Sequence, residues 1–255
     1  MKRLFSVWPL VLLAGIAQPA LAQTCTKSSP AHTVALLELY TSEGCNSCPP
    51  ADKFVSSVYK TTGLTSDQVL PLSLHVDYWD YIGWKDTFSN PIFTQRQRWL
   101  AELASTRTVY TPEVFVAGKE LRNWSSGVAD AVKRINQKPA QADIRLTLDG
   151  VTDRQLNVSM TSNTAQTGKL YFALVESGLV SHVKAGENSG VTLQHDYVVR
   201  QWGDPVRLTG GSNTTMRQIS FPANAVRKNL AVAAFVQSDK GEVLQALSLP
   251  ICSGL

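Results

Sequence analysis

The most constraining feature of the chain is a Cys-x-x-Cys pair at the junction of a predicted strand and a predicted helix. Cys45 and Cys48 follow the apolar run 34–40 and precede Pro49 and Pro50. Proline suits the first helical turn, where a backbone N–H has no intrahelical partner. The positive end of the helix dipole favours a thiolate over a thiol. The sequence therefore predicts a thiol–disulfide site in which Cys45, the more exposed sulfur, attacks and Cys48 resolves the mixed disulfide.

The first residues predict export and are not expected to belong to the fold. Lys2 and Arg3 precede an apolar segment, and residues 20–22 (Ala-Leu-Ala) form a small-x-small cleavage signal. The apolar segment is too short for a comfortable membrane span. We therefore expect residues 1–22 to be a signal peptide and the mature protein to be periplasmic or secreted, without a membrane anchor.

The charge of the predicted mature chain excludes two classes of partner. Of the 24 basic residues, Lys2 and Arg3 leave with the signal peptide, so 22 remain against 20 acidic residues. This small net charge gives no basic field for nucleic acid and no electrostatic attraction to a membrane surface. We therefore expect neither nucleic acid nor a membrane as partner.

Four cysteines remain after removal of the signal peptide, and export permits them to form disulfides. Cys25, Cys45, Cys48 and Cys252 allow three pairings on paper. We favour Cys45–Cys48 as the redox pair and Cys25–Cys252 as a structural link. The second pair requires the two termini to lie close together, as domain termini often do.

The spacing of apolar residues divides the mature chain into two parts. From 31 to 138, strands alternate with helices, and the apolar strand at 69–76 follows a helix, which predicts parallel, buried pairing with the first strand. From 140 to 252, apolar and polar residues alternate in short segments, a pattern typical of an all-β sandwich. We therefore predict an α/β domain at 31–138 and an all-β, sandwich-like domain at 140–252.

The order of elements in the first part resembles the thioredoxin fold. The strand, the Cys-x-x-Cys pair and the helix are followed by Thr111-Pro112, a strand at 113–116, a hairpin and a last helix. In thioredoxins a cis-proline faces the dithiol and helps to bind the substrate chain. The resemblance therefore implies a catalytic role for Pro112 and a substrate-binding role for Thr111. Cis costs little only in an X-Pro bond.

Motifs across nearly all of the mature chain carry a second resemblance. They are residues 39–52, 75–80 with 83–84, 110–112, and 186–188 with Leu193, His195-Asp196 and 198–200. These motifs resemble an uncharacterised family of exported bacterial proteins, the domain of unknown function 1223 family. The resemblance implies a thioredoxin-like fold, but the family has no settled activity to carry over.

An aromatic-rich loop follows the second strand and contains Asp77, Tyr78 and Trp79. Parallel strands share the edge at which ligands bind. We therefore expect these three residues to line the dithiol face and to bind substrate. The alternative is a structural loop that packs over the helix.

A second group of polar residues lies in the all-β part of the sequence. Glu187, Asn188, His195, Asp196 and Arg200 reach the dithiol only if the two domains pack face to face. The favoured expectation is an ordinary polar contact between the domains.

The sequence as a whole predicts an exported thiol–disulfide oxidoreductase that acts on protein or small-molecule disulfides, with no cofactor and no metal. The expected partners are the thiols or disulfides of exported proteins. The competing hypothesis is a redox-inert thioredoxin-like binding module with a permanent Cys45–Cys48 disulfide. Metal handling is a third hypothesis. One Cys-x-x-Cys is half of a Cys₄ zinc site, and exported thiols bind soft metals such as copper, but no Met or His cluster supports it.

Overall fold

The computed structural model describes residues 24–150, 152 and 154–252. The predicted signal peptide lies outside these residues. The fold is mixed α/β and dominated by strands, most of which belong to one large mixed sheet. Among the described residues, no helix is both long enough and apolar enough to cross a membrane.

The regular elements are numbered here in chain order. The strands of the described residues are β1 Cys25–Ser28, β2 Ala35–Thr41, β3 Val69–His75, β4 Glu113–Val116, β5 Lys119–Glu120, β6 Ala142–Asp149, β7 Gln155–Glu176, β8 Leu179–His182, β9 Thr192–His195, β10 Val198–Trp202, β11 Val206–Ser220, β12 Leu230–Ser238 and β13 Val243–Pro250. The α-helices of the same residues are α1 Pro49–Ser56, α2 Val58–Thr62, α3 Pro91–Leu103 and α4 Trp124–Asn136.

The strands of the first half lie in the order β3-β2-β4-β5. β2 and β3 are parallel, with Ala35 opposite Val69 and Thr41 opposite His75, which confirms the expected pairing. β4 runs antiparallel to β2, and β5 runs antiparallel to β4. Both central strands are buried along their whole length, because helices or other strands cover each face.

Helices lie on both faces of this part of the sheet. On one face α1, α2 and α4 bury Val55, Val58 and Val132 against apolar residues of β2 and β4. On the other face α3 buries Phe93 and Leu100 in a core that also contains residues of β7, β12 and β13. α3 therefore packs between the first half of the chain and the second.

The second half contains strands much longer than the sequence pattern predicts. The segments that begin at Leu156 and Leu170 were expected as separate short strands, but both belong to the 22-residue strand β7. Residues 157–164 pair with β6, residues 168–176 pair with β12, and β11 pairs along most of the strand. Because the polar residues between the two segments find ladder partners, the chain continues as a strand there and does not turn.

Strand β10 connects the two halves of the sheet. It pairs with β7 on one side and, through Val198 opposite Ser73, with β3 on the other. One sheet therefore runs from β1 through β10 to β5. The alternation of apolar residues gave no indication of this edge-to-edge connection.

The predicted terminal disulfide is present. Cys25 on β1 is bonded to Cys252, and their Cα atoms are 6.1 Å apart. β1 pairs antiparallel with β6, where Cys25 lies opposite Leu148. The link therefore joins the first strand of the described chain to the segment that follows β13.

Candidate dithiol site

The Cys45–Cys48 pair lies between the end of β2 and the start of α1, as predicted. The two cysteines are disulfide-bonded, with Cα atoms 5.5 Å apart, a usual spacing for such a bond. Cys48 is the residue before the helix, and Pro49 and Pro50 occupy its first turn. The Cys48 backbone N–H donates to the Cys45 carbonyl at 3.2 Å. The sulfurs are therefore held at the positive end of a helix.

The Thr111-Pro112 peptide lies beside the dithiol. This peptide bond is cis. The Thr111 carbonyl oxygen is 3.8 Å from Cys45 Sγ. The two segments, 66 residues apart in the sequence, meet at the same edge of the sheet.

The aromatic loop does both things expected of it: part of it lies at the dithiol face, and part of it packs against α3. Trp79 donates its indole N–H to Thr111 Oγ1 at 2.7 Å, which places its ring beside the Thr111-Pro112 peptide. Asp77 instead accepts from Thr94 Oγ1 of α3 at 2.5 Å. Tyr78 packs against the core around α3. Of the three expected substrate-binding residues, Trp79 makes a direct hydrogen bond to Thr111, and the Tyr78 hydroxyl also lies near Thr111.

The exposure expected for Cys45 is wrong for this structure, because Cys45 and Cys48 are each 0% exposed. Ile82, in a short 3₁₀ turn after the aromatic loop, packs over residue 44. A Cβ atom at Gly44 would lie 3.1 Å from Ile82 Cδ1, and one at Gly186 would lie 3.0 Å from the same atom. Ile82 therefore packs between Gly44 and Gly186. A side chain at either glycine would clash with Ile82.

Two residues of the second half also reach the dithiol loop, through polar contacts between the two halves. Asn188 Nδ2 donates to the carbonyl oxygens of Glu43 at 2.8 Å and Cys45 at 2.9 Å. Glu187 Oε2 accepts the backbone N–H of Asn46 at 3.0 Å. The only sequence signal for these contacts was the Gly-Glu-Asn motif at 186–188.

A group of ionisable side chains is buried beneath the dithiol loop. We call it the acid–imidazole cluster, and its members are Glu43, Asp52, His75, Asp86 and His195. His75 Nδ1 lies 2.7 Å from Asp86 Oδ2. His195 Nε2 lies 3.5 Å from Glu43 Oε1, and the two imidazole rings are 5.1 Å apart. Sequence reasoning assigned no function to Glu43, Asp52 and Asp86.

Each carboxylate of this cluster accepts a hydrogen bond from an uncharged side chain or from a backbone N–H. Trp84 Nε1 donates to Glu43 Oε2 at 2.8 Å, and Thr41 Oγ1 donates to Asp52 Oδ2 at 3.1 Å. The Glu43 N–H donates to Asp86 Oδ2 at 2.8 Å. The cluster therefore ties together the ends of β2 and β3, the start of α1 and the end of β9.

A cavity of about 350 Å³ between α1 and β9 reaches this cluster. Asp52 and His195 line it. Within the described residues, Asp52 Oδ1 and both ring nitrogens of His195 have no hydrogen-bond partner. The cavity is large enough for water to bond them. In the same residues, no group of three or more His, Cys, Asp or Glu side chains is arranged to hold a metal ion.

Comparison with known proteins assigns the chain to a family. The family described as "Protein of unknown function (DUF1223)" matches residues 36–237. The chain belongs to this family. The matched range contains the Cys-x-x-Cys pair, Thr111-Pro112, Asn188 and the acid–imidazole cluster, so all of these lie within the DUF1223 region.

A solved structure from another organism shares the fold of this DUF1223 protein. The crystal structure of protein AGR_C_4864 from Agrobacterium tumefaciens is 22% identical, with a TM-score of 0.57, over 87% of this chain and 96% of that chain. At that identity the likeness concerns the fold alone. A beta-glucosidase from Kluyveromyces marxianus, solved with glucose, is 13% identical over 41% of this chain and 13% of its own, and its TM-score of 0.21 carries no argument. No curated protein matches the chain.

The His75–Asp86 pair makes stability depend on pH. Burial lowers the pKa of His75, but the neighbouring carboxylates, Asp86 first, raise it more, so it lies above its ordinary value. Burial raises the pKa of Asp86, but His75 and two backbone N–H groups lower it more, so it lies below its ordinary value. The contribution of protonated His75 to the free energy of unfolding is fully present below pH ~6.5. It is lost as the pH rises through the raised pKa of His75. The Asp86 contribution is present above pH ~4 and is lost as the pH falls through the lowered pKa.

Replacing His75 with glutamine is expected to cost about 3–5 kcal/mol of unfolding free energy between pH ~4 and ~6.5, because the buried Asp86 charge loses its partner. The loss should shrink at lower pH, where Asp86 is protonated, and at higher pH, where His75 is neutral. Denaturant unfolding across the pH range measures it, with the exposed His182→Gln as control. A loss that is the same at every pH would contradict the assignment.

Proposed function

We propose that this DUF1223 protein is an exported thiol–disulfide oxidoreductase. The observation that carries the proposal is the Cys45–Cys48 disulfide at the start of α1, with the Thr111 carbonyl oxygen 3.8 Å from Cys45 Sγ. A helix N-terminus favours the thiolate, and the resemblance to thioredoxins implies that the cis-proline segment beside the dithiol holds the substrate chain. Thr111 and Pro112 are the proposed substrate-holding residues.

The proposal includes a thioredoxin-like first half at 31–138 and a sandwich-like second half at 140–252. Support for the first half comes from the strand order β3-β2-β4-β5 with one parallel pair. Helices on both faces and the Cys-x-x-Cys pair at the end of β2 support it further. The sequence resemblance described above predicts the same arrangement.

The proposed reaction transfers two electrons between the dithiol and a substrate disulfide. The Cys45 thiolate attacks one substrate sulfur and forms a mixed disulfide with it. The substrate S–S bond breaks, and the other substrate sulfur is the first to leave, as a thiolate that takes a proton from water. The Cys48 thiolate then attacks Cys45 Sγ and closes the Cys45–Cys48 bond. The second substrate sulfur leaves, so the substrate is reduced and the protein is oxidised. The reverse sequence oxidises a substrate dithiol.

The proposed location is the periplasm or the exterior of the cell, and the proposed partners are exported thiols or disulfides. Two disulfides among the described residues fit an oxidising environment. Both sides of the proposed reaction, thiols and disulfides, occur in such a compartment.

A glutathione redox titration tests the proposal. We expect the Cys45–Cys48 pair to show a reversible midpoint when the thiols are alkylated and identified by mass spectrometry. Cys48→Ser should accumulate a mixed disulfide on Cys45, because the resolving thiol is missing, whereas Cys45→Ser should accumulate none on Cys48. A pair that stays oxidised throughout, with no trapped mixed disulfide, would refute the oxidoreductase.

One observation favours a second candidate, a redox-inert binding module. Both cysteines are 0% exposed, as a permanent structural disulfide would be. In that case the disulfide holds the loop, and the aromatic residues beside Thr111 contact a partner. The same titration separates the two candidates, since the binding module predicts no midpoint in the glutathione range.

A further inference from the structure

The segment between β8 and β9 closes over the dithiol loop from the second half of the chain. We call residues 186–188 the clasp. The amide of Asn188 uses both of its hydrogens, one on the Glu43 carbonyl and one on the Cys45 carbonyl. Glu187 accepts the N–H of Asn46. The clasp therefore holds the backbone on both sides of Cys45.

The clasp also packs against Ile82, whose side chain lies over Gly44, the residue before Cys45. Gly186 has φ +74°, and a Cβ atom there would lie 3.0 Å from Ile82 Cδ1 and 3.4 Å from Trp84 Cβ. Glycine is the residue that combines this backbone conformation with such close packing. Ile82 and the clasp thus meet above Gly44, and the cysteines beneath them are fully buried.

The hairpin that carries the clasp is separate from the main sheet. β8 and β9 form a two-stranded sheet of their own, with four residues in each strand. A two-stranded hairpin is marginally stable by itself. Segments of this kind open locally at a lower free energy than the core strands require. The segment between its two strands can therefore move without breaking the ladder of the large sheet, while His195 at the end of β9 stays in the acid–imidazole cluster.

The clasp places a carboxylate against the residue that follows Cys45. The Glu187 carboxylate accepts from Asn46, the residue next to Cys45. A carboxylate beside a nascent thiolate disfavours it by like-charge repulsion. The same N–H, once released, would be free to donate to a thiolate sulfur.

We infer that the clasp gates the dithiol: Asn188 and Glu187 hold the dithiol loop closed and keep Cys45 unreactive, and opening of the segment between β8 and β9 admits the thiol or disulfide substrate. The purpose of the gate rests on the proposed function. Asn188 is a positioning residue, because it acts through the backbone of the dithiol loop and not on the reacting atoms.

Reduction of the oxidised protein by dithiothreitol tests the gate without any physiological substrate. We expect Asn188→Ala to accelerate reduction of Cys45–Cys48 by about 10- to 100-fold, since two hydrogen bonds that oppose opening are lost. Reduction of Cys25–Cys252 in the same molecule should keep its rate, which separates opening of the clasp from general destabilisation. Ser189→Ala, a change at the exposed neighbouring residue, should leave both rates unchanged.

Two results would overturn the gate. Equal acceleration of both disulfides in Asn188→Ala would mean that Asn188 only stabilises the fold. A rate of Cys45–Cys48 reduction equal to that of the wild type would mean that the clasp does not limit access. If the gate behaves as expected but the glutathione titration traps no mixed disulfide, the proposed function fails and the gating contact stands.

A change at Glu187 provides a second test that does not depend on the buried asparagine. Glu187 is exposed, and Glu187→Gln removes its charge but keeps an oxygen that accepts the Asn46 N–H. In the reduced protein we expect Cys45 to be alkylated several-fold faster at neutral pH in this variant. Glu187→Ala should in addition speed hydrogen exchange at the Asn46 amide. Unchanged alkylation and exchange in both variants would contradict the role of Glu187.

Discussion

Replacing Arg96 with methionine is expected to destabilise the protein by about 3–5 kcal/mol, because the buried Glu38 carboxylate loses its cationic partner and keeps a neutral one, the Tyr40 hydroxyl. Arg96 of α3 donates from Nε to Glu38 Oε1 at 2.6 Å and from Nη2 to Glu38 Oε2 at 3.1 Å. It also donates to Gln237 Oε1 of β12 at 3.1 Å. Glu38 is 0% exposed. The guanidinium therefore joins β2 to the second half of the chain.

Aromatic rings around Arg96 add to the expected effect. Its guanidinium carbon lies between 4.9 and 5.7 Å from the ring centroids of Trp99, Tyr171, Trp202 and Phe235. Such cation–π contacts contribute about 1–2 kcal/mol when they are desolvated. Methionine retains apolar packing against the rings but loses this attraction.

Denaturant unfolding measures the cost, with Arg98→Met as the matched control on the exposed side of the same helix. We expect the control to change the free energy of unfolding by less than about 0.5 kcal/mol. The double variant Glu38→Gln/Arg96→Met should recover part of the loss, because no unpaired charge remains in the core. Glu38→Gln alone is measured as well. If the free-energy loss of the double variant equals the sum of the losses of Glu38→Gln and Arg96→Met, the two residues do not act as a pair.

Removing the Cys25–Cys252 disulfide is expected to cost up to about 5 kcal/mol. The bond spans a sequence separation of 227 residues, and in the chain-entropy model a long loop gives the unfolded chain the greatest freedom when it is released. The Cys45–Cys48 bond spans only 3 residues, so its removal should cost roughly 2 kcal/mol in the same model.

The comparison uses Cys25→Ser/Cys252→Ser and Cys45→Ser/Cys48→Ser, each unfolded in denaturant with the other disulfide intact. The decisive result is a larger loss of unfolding free energy for Cys25→Ser/Cys252→Ser than for Cys45→Ser/Cys48→Ser. Equal losses, or a larger loss for the short ring, would mean that local packing at each bond outweighs the entropy of the unfolded chain.

The Cys-x-x-Cys site and its disulfide were predictable because their signals are local. The apolar run of β2, the paired cysteines and Pro49-Pro50 lie within 17 residues, and each restricts the backbone by its own chemistry. The parallel pairing of β2 and β3 was predictable for a similar reason, since an apolar strand that follows a helix is buried on both faces. Four cysteines allow three pairings, and the pairing that the sequence favours contains the Cys25–Cys252 bond seen in the structure.

The extended length of β7 was not predictable from alternation alone. The residues around Thr164 and Gly168 are polar or small, and in isolation they indicate a turn. They form a strand because β6, β11 and β12 supply partners for their backbone groups. A ladder partner from a distant segment outweighs a weak local preference.

The amino-acid sequence by itself determined the dithiol, its position at a helix N-terminus and the Thr-Pro segment, because local pattern carries each of them. Only the tertiary structure decided what surrounds the dithiol. Asn46 and Glu187 are separated by 141 residues, and Cys45 and Asn188 by 143. Contacts between residues so far apart in the sequence depend on the pairing of β10 with the edge of β3. Local sequence preferences do not predict that pairing. The burial of Cys45 and the acid–imidazole cluster therefore emerge only when the two halves share one sheet.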